Sequence, residues 1–199
     1  DGQAGAPPDD FSVNGQNWGF PTYNWDTMEK DNFSWWRKRF GKLEDYFDCF
    51  RIDHILGFFR IWEVPLDYVQ GLCGHFNPAL PLTPNEIEQY GLGFDEARLT
   101  TPHINREFLP ELFGDRTEEV IGTFLAQSSS RHFVLKPYCD TQRKVEALFA
   151  GKTDEVSLRI KKGLFAIANE VLFLRDPREP DKFHPRISAS QSYLYRELS

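Results

Sequence analysis

The chain has 199 residues, 40% of them hydrophobic and 27% charged, enough to bury a core as one domain or as part of a larger one. A net charge of -7, from 23 basic and 30 acidic residues, argues against a surface that neutralises phosphates, so no nucleic acid is expected as a partner. No run of about 18 apolar residues is present, so no membrane association is expected, and three irregularly spaced cysteines, Cys49, Cys73 and Cys139, suit a reducing cytoplasmic compartment better than a disulfide framework.

Residues 1–16 read as loop, because Pro7-Pro8-Asp9-Asp10 and Asn14-Gly15 are turn chemistry. The start is polar, is not a signal peptide and lacks an initiator Met, so the chain is expected to be a piece of something longer. Residues 16–25 mix amides, aromatics, Gly and Pro, and read as irregular. The 15% aromatic share, with 18 Phe, 7 Tyr and 5 Trp, supports two readings of this stretch. Paired amides and ring faces can grip a sugar, or the same residues can form an ordered loop over an aromatic core.

A helix follows, capped by Asp31 or Asn32. Phe33, Trp36, Phe40, Leu43 and Phe47 recur at spacings of three and four and mark one apolar face, expected to lie on a core. Arg37-Lys38-Arg39 reads as a solvated helix face. The helix leads into a short apolar strand at 49–53. Such an αβ step predicts a parallel sheet.

Leu66 to Gly74 is compatible with a short helix, and Phe76 to Leu82 reads as loop. Thr83-Pro84-Asn85-Glu86 is a capping box with Pro at the first helical position, which predicts a helix over 84–90 stopped by Gly91. Short helices are expected near 94–99, 105–113 and 116–126, and an exposed tip at Gln127-Ser128-Ser129-Ser130. A short strand is expected over 131–135 and a helical pair over 141–150 and 153–170, broken at Gly151. Residues 171–174 are either a strand or a helix end.

Few patterns carry chemistry. Cys73-Gly74-His75 and His54 are the nearest thing to a metal-ligand set, but there is no second Cys pair and no H-x-x-x-H, so no metal site is expected. Phosphate-binding glycine loops and a serine nucleophile elbow are absent. Asp53 stands out. Arg51 lies two positions away, on the same face of a strand, and its positive charge favours an ionised carboxylate. His54 can then donate to a sugar hydroxyl. A purely structural Arg-Asp pair fits the same three residues.

Arg51-Ile52-Asp53-His54-Ile55-Leu56-Gly57-Phe58-Phe59-Arg60-Ile61-Trp62-Glu63-Val64-Pro65 resembles the signature of the 4-alpha-glucanotransferases (amylomaltases or disproportionating enzymes, glycoside hydrolase family 77). Gly15-Gln16-Asn17-Trp18-Gly19-Phe20-Pro21-Thr22-Tyr23-Asn24-Trp25 resembles that family's upstream motif, in the right order and at a fitting distance. Gly71 to Leu82, Asp176-Pro177-Arg178 and Phe183-His184-Pro185-Arg186-Ile187 are similar to its long branch, typified by the plant cytosolic enzyme.

The resemblance implies an α/β fold, a partial (β/α)₈ barrel with a helix-rich insertion, this segment being mainly α. Residues 1–65 would be barrel carrying the nucleophile strand, 66–170 the insertion and 171–199 the return to the barrel. It further implies transfer of α-1,4-glucans, with maltose or malto-oligosaccharides as ligands and no cofactor. Asp53 would be the nucleophile and Arg51 its partner. His54, Trp18, Tyr23 and Asn17 would bind substrate. The family's Gly-Glu-Asp-Leu-Gly motif, with the acid/base Glu, and its later His-Asp motif, with the stabilising Asp, are absent. The isolated chain is therefore expected to be inactive. A carbohydrate-binding or interaction segment without catalysis is the alternative.

Overall fold

The computed structural model describes residues 2–198. Helix exceeds strand, and the chain is a mixture of both. Its first half is organised by a four-stranded sheet of β1 (Gly2–Ala6), β2 (Gln16–Pro21), β3 (Ile61–Pro65) and β4 (His75–Asn77), in the order β2-β1-β3-β4. Three stretches expected as loop or irregular, 1–16, 16–25 and 76–82, thus contribute strands. Small residues make β1 fit between its neighbours: a Cβ on Gly5 would fall 2.1 Å from the Gln16 carbonyl oxygen, and one on Gly2 2.3 Å from Glu63 Cγ.

Every strand pairing among the described residues is antiparallel, which corrects the parallel sheet predicted from the αβ step. The expected strand at 49–53 does not form either. It has no partner ladder, and without one an apolar run gains nothing from being extended. Phe50 and Ile52 remain 48% and 41% exposed. The strand of this region is β3, twelve positions later, where Trp62 and Val64 are buried. The expected short helix in 66–74 is a set of turns wrapped on Trp62. The Trp62 indole N–H donates to the Gly71 carbonyl at 2.8 Å, and a Cβ on Gly74 would strike that ring at 2.3 Å.

Two helices lie between β2 and β3 in the chain: α1 (Trp25–Lys30), which was not foreseen, and α2 (Ser34–Glu44). The residue at the cap position of α2 is Phe33, left-handed and without a side-chain cap, in place of the expected Asp31 or Asn32; Asp31 instead accepts from the Ser34 amide at 3.1 Å from further upstream. No residue of α2 is buried. Its apolar stripe borders a cavity instead of a core.

The second half follows its sequence signals closely. Thr83 and Glu86 form the reciprocal capping box of α3 (Pro84–Gln89). Next come α4 (Glu96–Thr100), β5 (Ile104–Asn105), α5 (Leu109–Phe113), α6 (Thr117–Phe124), β6 (Leu125–Gln127), β7 (His132–Leu135), α7 (Gln142–Leu148) and α8 (Glu155–Ala168). The chain then forms the β8 (Phe173–Arg175)–β9 (Phe183–Pro185) hairpin and α9 (Tyr193–Leu198).

One core cluster draws its buried residues from Ile104 to Ile167. A second joins Ile87 and Leu99 to Leu172, Phe173, Phe183 and Leu194. The two halves are fastened by Gln142, 1% exposed. Its side-chain oxygen accepts from the amides of Val69 and Gln70 at 2.9 and 3.0 Å, and its Nε2 donates to Asn169 Oδ1 at 3.0 Å.

Candidate active site

The two motifs singled out in the sequence meet at one cavity of about 350 Å³. Ala4 of β1 and Trp18 and Phe20 of β2 form one wall, and Thr22 and Tyr23 continue it. Trp25 and the stripe Trp36, Arg39, Phe40 and Leu43 of α2 form a second. Residues 50–54, with Gly57, Phe58 and Ile61, close the third. Five expected site residues therefore share a single space: Trp18, Tyr23, Arg51, Asp53 and His54.

The aromatic lining is continuous. Tyr23 packs on Trp25 and Trp36 at centroid distances of 5.1 and 5.2 Å, and Trp36 on Phe40 and Phe58 at 5.4 and 5.2 Å. Phe40 stacks on Phe50 at 5.0 Å. The indole N–H of Trp36 has no hydrogen-bond partner among the described residues. It is a buried donor in a wall that otherwise offers ring faces.

The polar corner is built by a local backbone reversal. His54 takes a left-handed conformation, φ 54°, and opens a 3₁₀ turn over Ile55–Phe58. A non-glycine residue there is uncommon and turns the chain sharply. The reversal brings the His54 ring edge-to-face against Trp18, centroids 5.3 Å apart and planes at 89°. Gly57 makes room, since a Cβ there would lie 2.8 Å from His54 Cδ2.

Arg51 donates through Nη2 to Asp53 Oδ1 at 2.8 Å. The pair expected from the R-x-D spacing is made, though outside any strand. Both side chains are open to water, 86% and 84% exposed, where solvent and salt screen such a pair. Asp53 is the only carboxylate lining the cavity among the described residues.

Asn17 is not brought to the cavity. Its amide nitrogen donates to Gln3 Oε1 and to the Tyr68 carbonyl, both at 3.0 Å, and its oxygen accepts from the Gly19 amide at 2.9 Å. The whole amide is spent on holding β2 to β1 and to the turns after β3. Glu63 also stays outside. It is 8% exposed, accepts from Asn77 Nδ2 at 2.6 Å, and takes the Thr22 hydroxyl at 3.3 Å. It braces a wall residue from behind.

Sequence reasoning missed Trp25, Phe58 and Arg39 as lining, and placed Trp36 and Phe40 on a core. The signal was present: an amphipathic helix beside an amide- and aromatic-rich segment suits a cavity wall as well as a core.

Among the described residues no helix is long and apolar enough to cross a membrane. Residues 1–163 match the family described as 4-alpha-glucanotransferase, glycoside hydrolase family 77. The chain is 41% identical to the 4-alpha-glucanotransferase DPE2 of Oryza sativa subsp. japonica, over 98% of this chain and 21% of the relative. It is 48% identical to the chloroplastic/amyloplastic 4-alpha-glucanotransferase of Solanum tuberosum, over 44% of this chain and 16% of that one. A solved amylomaltase of Streptococcus agalactiae in complex with acarbose aligns with 99% of this chain and 49% of its own, at 21% identity and a TM-score of 0.37. The chain thus spans about a fifth of the length of the rice relative.

Proposed function

Since the chain belongs to the 4-alpha-glucanotransferases of glycoside hydrolase family 77, we propose that it carries the nucleophile side of an active site that transfers α-1,4-glucan segments. The observation behind this is the meeting of Trp18, Tyr23, Arg51, Asp53 and His54 around one aromatic cavity. Asp53 attacks the anomeric carbon of the donor glucan. The glycosidic bond breaks, the leaving oxygen takes a proton from a general acid, and a glucosyl-Asp53 ester forms. A hydroxyl of a second glucan then displaces Asp53 and gives its proton to the same acid/base group. Arg51 holds the Asp53 carboxylate in place, and His54 donates to a sugar hydroxyl. Trp18 and Tyr23 cover the apolar faces of the rings and help keep water away. Asn17 serves by fixing β2, the strand that presents Trp18.

A retaining mechanism needs a second carboxylate about 5 to 5.5 Å from the nucleophile. None lines this cavity among the described residues, so these 199 residues alone are inactive and the acid/base comes from further chain. The family match favours a (β/α)₈ barrel whose parallel strands come from further chain, with the antiparallel strands of 1–65 and 171–199 lying against it and 66–170 as the insertion. The core drawn from Ile104 to Ile167 supports an insertion with its own packing. The exposed Phe50, Ile52, Ile55 and Phe59 support a barrel that covers them. Three free cysteines support a cytoplasmic setting.

The test is Asp53→Asn in a chain that contains the second carboxylate. Transfer should vanish while glucan binding persists, and near-normal transfer by that variant would refute the assignment. The aromatic lining with a single acid also favours a second reading, glucan binding without catalysis. Calorimetry of the 199-residue chain with maltose and a long malto-oligosaccharide addresses it. Binding without turnover fits both readings of this chain alone, whereas transfer activity excludes the second and also overturns the claim that an acid/base is missing.

A further inference from the structure

We propose that His103, His132 and Glu197 form a site for one divalent transition-metal ion, zinc by the chemistry of its donors, which fastens α9 to the small β5-β7-β6 sheet. His103 stands just before β5 and His132 opens β7. Register places Asn105 opposite His132. Glu197 comes from α9. The three side chains offer ligand atoms that all lie within 4.8 Å of one another.

The arrangement is that of groups facing a common point. His103 is 8% exposed, and its buried Nε2 points at the Glu197 carboxylate. Glu197 Oε2 faces it at 2.9 Å; against burial, which raises the Glu197 carboxyl pKa, the hydrogen bond from Asn105 and this pairing lower it. Two tetrahedral ligands, each about 2.0–2.1 Å from zinc, stand about 3.3–3.4 Å apart, so this pair needs to open by only a few tenths of an ångström to take the ion between them. The His103 and His132 rings are 5.1 Å apart and inclined at 59°, so their in-plane lone pairs can converge.

Outer partners hold the set. Asn105 Nδ2 donates to Glu197 Oε1 at 2.9 Å, and Ser129 Oγ lies 3.0 Å from His132 Nδ1. Such contacts orient ligating imidazoles and carboxylates. Two imidazoles and one carboxylate, with no thiolate, suit zinc and neighbouring first-row ions, with water filling the remaining position. His132 is half-buried and Glu197 exposed, which leaves an entry path.

A second cluster, His75, Asp176 and His184, meets the same spacing but is held differently. His184 Nε2 is bonded to Asp176 Oδ2 at 2.6 Å, and Asp176 Oδ1 accepts two backbone amides. His75 stacks on His184 at 4.5 Å with planes 19° apart. Lone pairs in near-parallel planes do not meet at one ion.

The test is calorimetric titration of the chelator-treated 199-residue chain with Zn²⁺, in a Cys49→Ser background that removes the exposed thiol, with Co²⁺ absorption as a second readout. Saturation at one equivalent and a higher melting temperature with zinc are expected. His132→Gln and Glu197→Asp, the latter keeping the charge but withdrawing the carboxylate, should each weaken binding by about tenfold or more. His184→Gln should leave it unchanged. The proposal is overturned by absence of saturable binding, by indifference to both site substitutions, or by loss of binding in His184→Gln. Metal-free melting of each variant separates a lost ligand from a lost fold.

Discussion

The His54 imidazole stands edge-on to the Trp18 indole, 5.3 Å between centroids, with Gly57 directly behind the His54 ring. The contact joins the two motifs that are 36 positions apart in the chain, and it depends on residue 57 lacking a side chain. In Gly57→Ala the new methyl would sit 2.8 Å from His54 Cδ2. An exposed ring can swing away at little cost, so unfolding free energy should change by less than about 1 kcal/mol. The His54 Cε1–H and Trp18 Nε1–H resonances should both shift. Unmoved resonances would show that the ring had room to spare.

Glu63 offers a different kind of test, because it is buried and both its oxygens are engaged, with Asn77 and Thr22. Glu63→Ala leaves the Asn77 amide without its acceptor and opens space behind the cavity wall. A loss of about 1–3 kcal/mol is expected, read from the urea midpoint. Glu63→Gln, which keeps the shape and one acceptor, should lose less. Equal losses in the two variants would mean that volume, not hydrogen bonding, is what matters there.

Acid should weaken the fold through His75. Burial first, and then the neighbouring His184, push the His75 imidazolium from 6.5 down to about 4, against the pull of Glu63 and Asp176. Between those two values the unfolded chain binds the proton that the folded chain refuses. Stability therefore falls as pH drops from about 6.5 toward 4, by on the order of 3 kcal/mol, and this contribution levels off below. Denaturant unfolding across that window should flatten in His75→Gln. An unchanged slope in the variant would assign the pH dependence to other groups.

Gly163 lies in the middle of α8 against Phe113 of α5. Alanine in a helix interior ordinarily gains about 1 kcal/mol over glycine. Here its Cβ would fall 2.2 Å from Phe113 Cε1, a ring that is fully buried. Overpacking should prevail, and Gly163→Ala should lose about 1–3 kcal/mol by thermal or urea unfolding. A stabilised variant would show that α5 and α8 can move apart freely.

The helical second half was legible because its signals are local. The Thr83–Glu86 box and the break at Gly151 each need only their own neighbours. The strands of the first half were not. Gly2–Ala6 has poor strand propensity and becomes a strand only because β2 and β3 flank it. Phe50 to Asp53 has good strand chemistry and stays unpaired because no edge meets it. Strand identity depends on partners distant in sequence, and neither outcome can be read from the segment alone.

The candidate site divides along the same line. The sequence by itself determined the chemical groups: an aspartate two positions from an arginine, a histidine beside it, and an amide- and aromatic-rich stretch upstream. It offered Arg51 and Asp53 as a pair on one strand face, and the contact forms although that strand does not. Only the tertiary structure decided which residues share the cavity. Asn17, adjacent to Trp18, is turned away to brace β1 and the turns after β3. Trp36 and Phe40, read as core, face the open space. Periodicity identifies an apolar face, but whether that face meets packed side chains or a cavity depends on the elements folded against it.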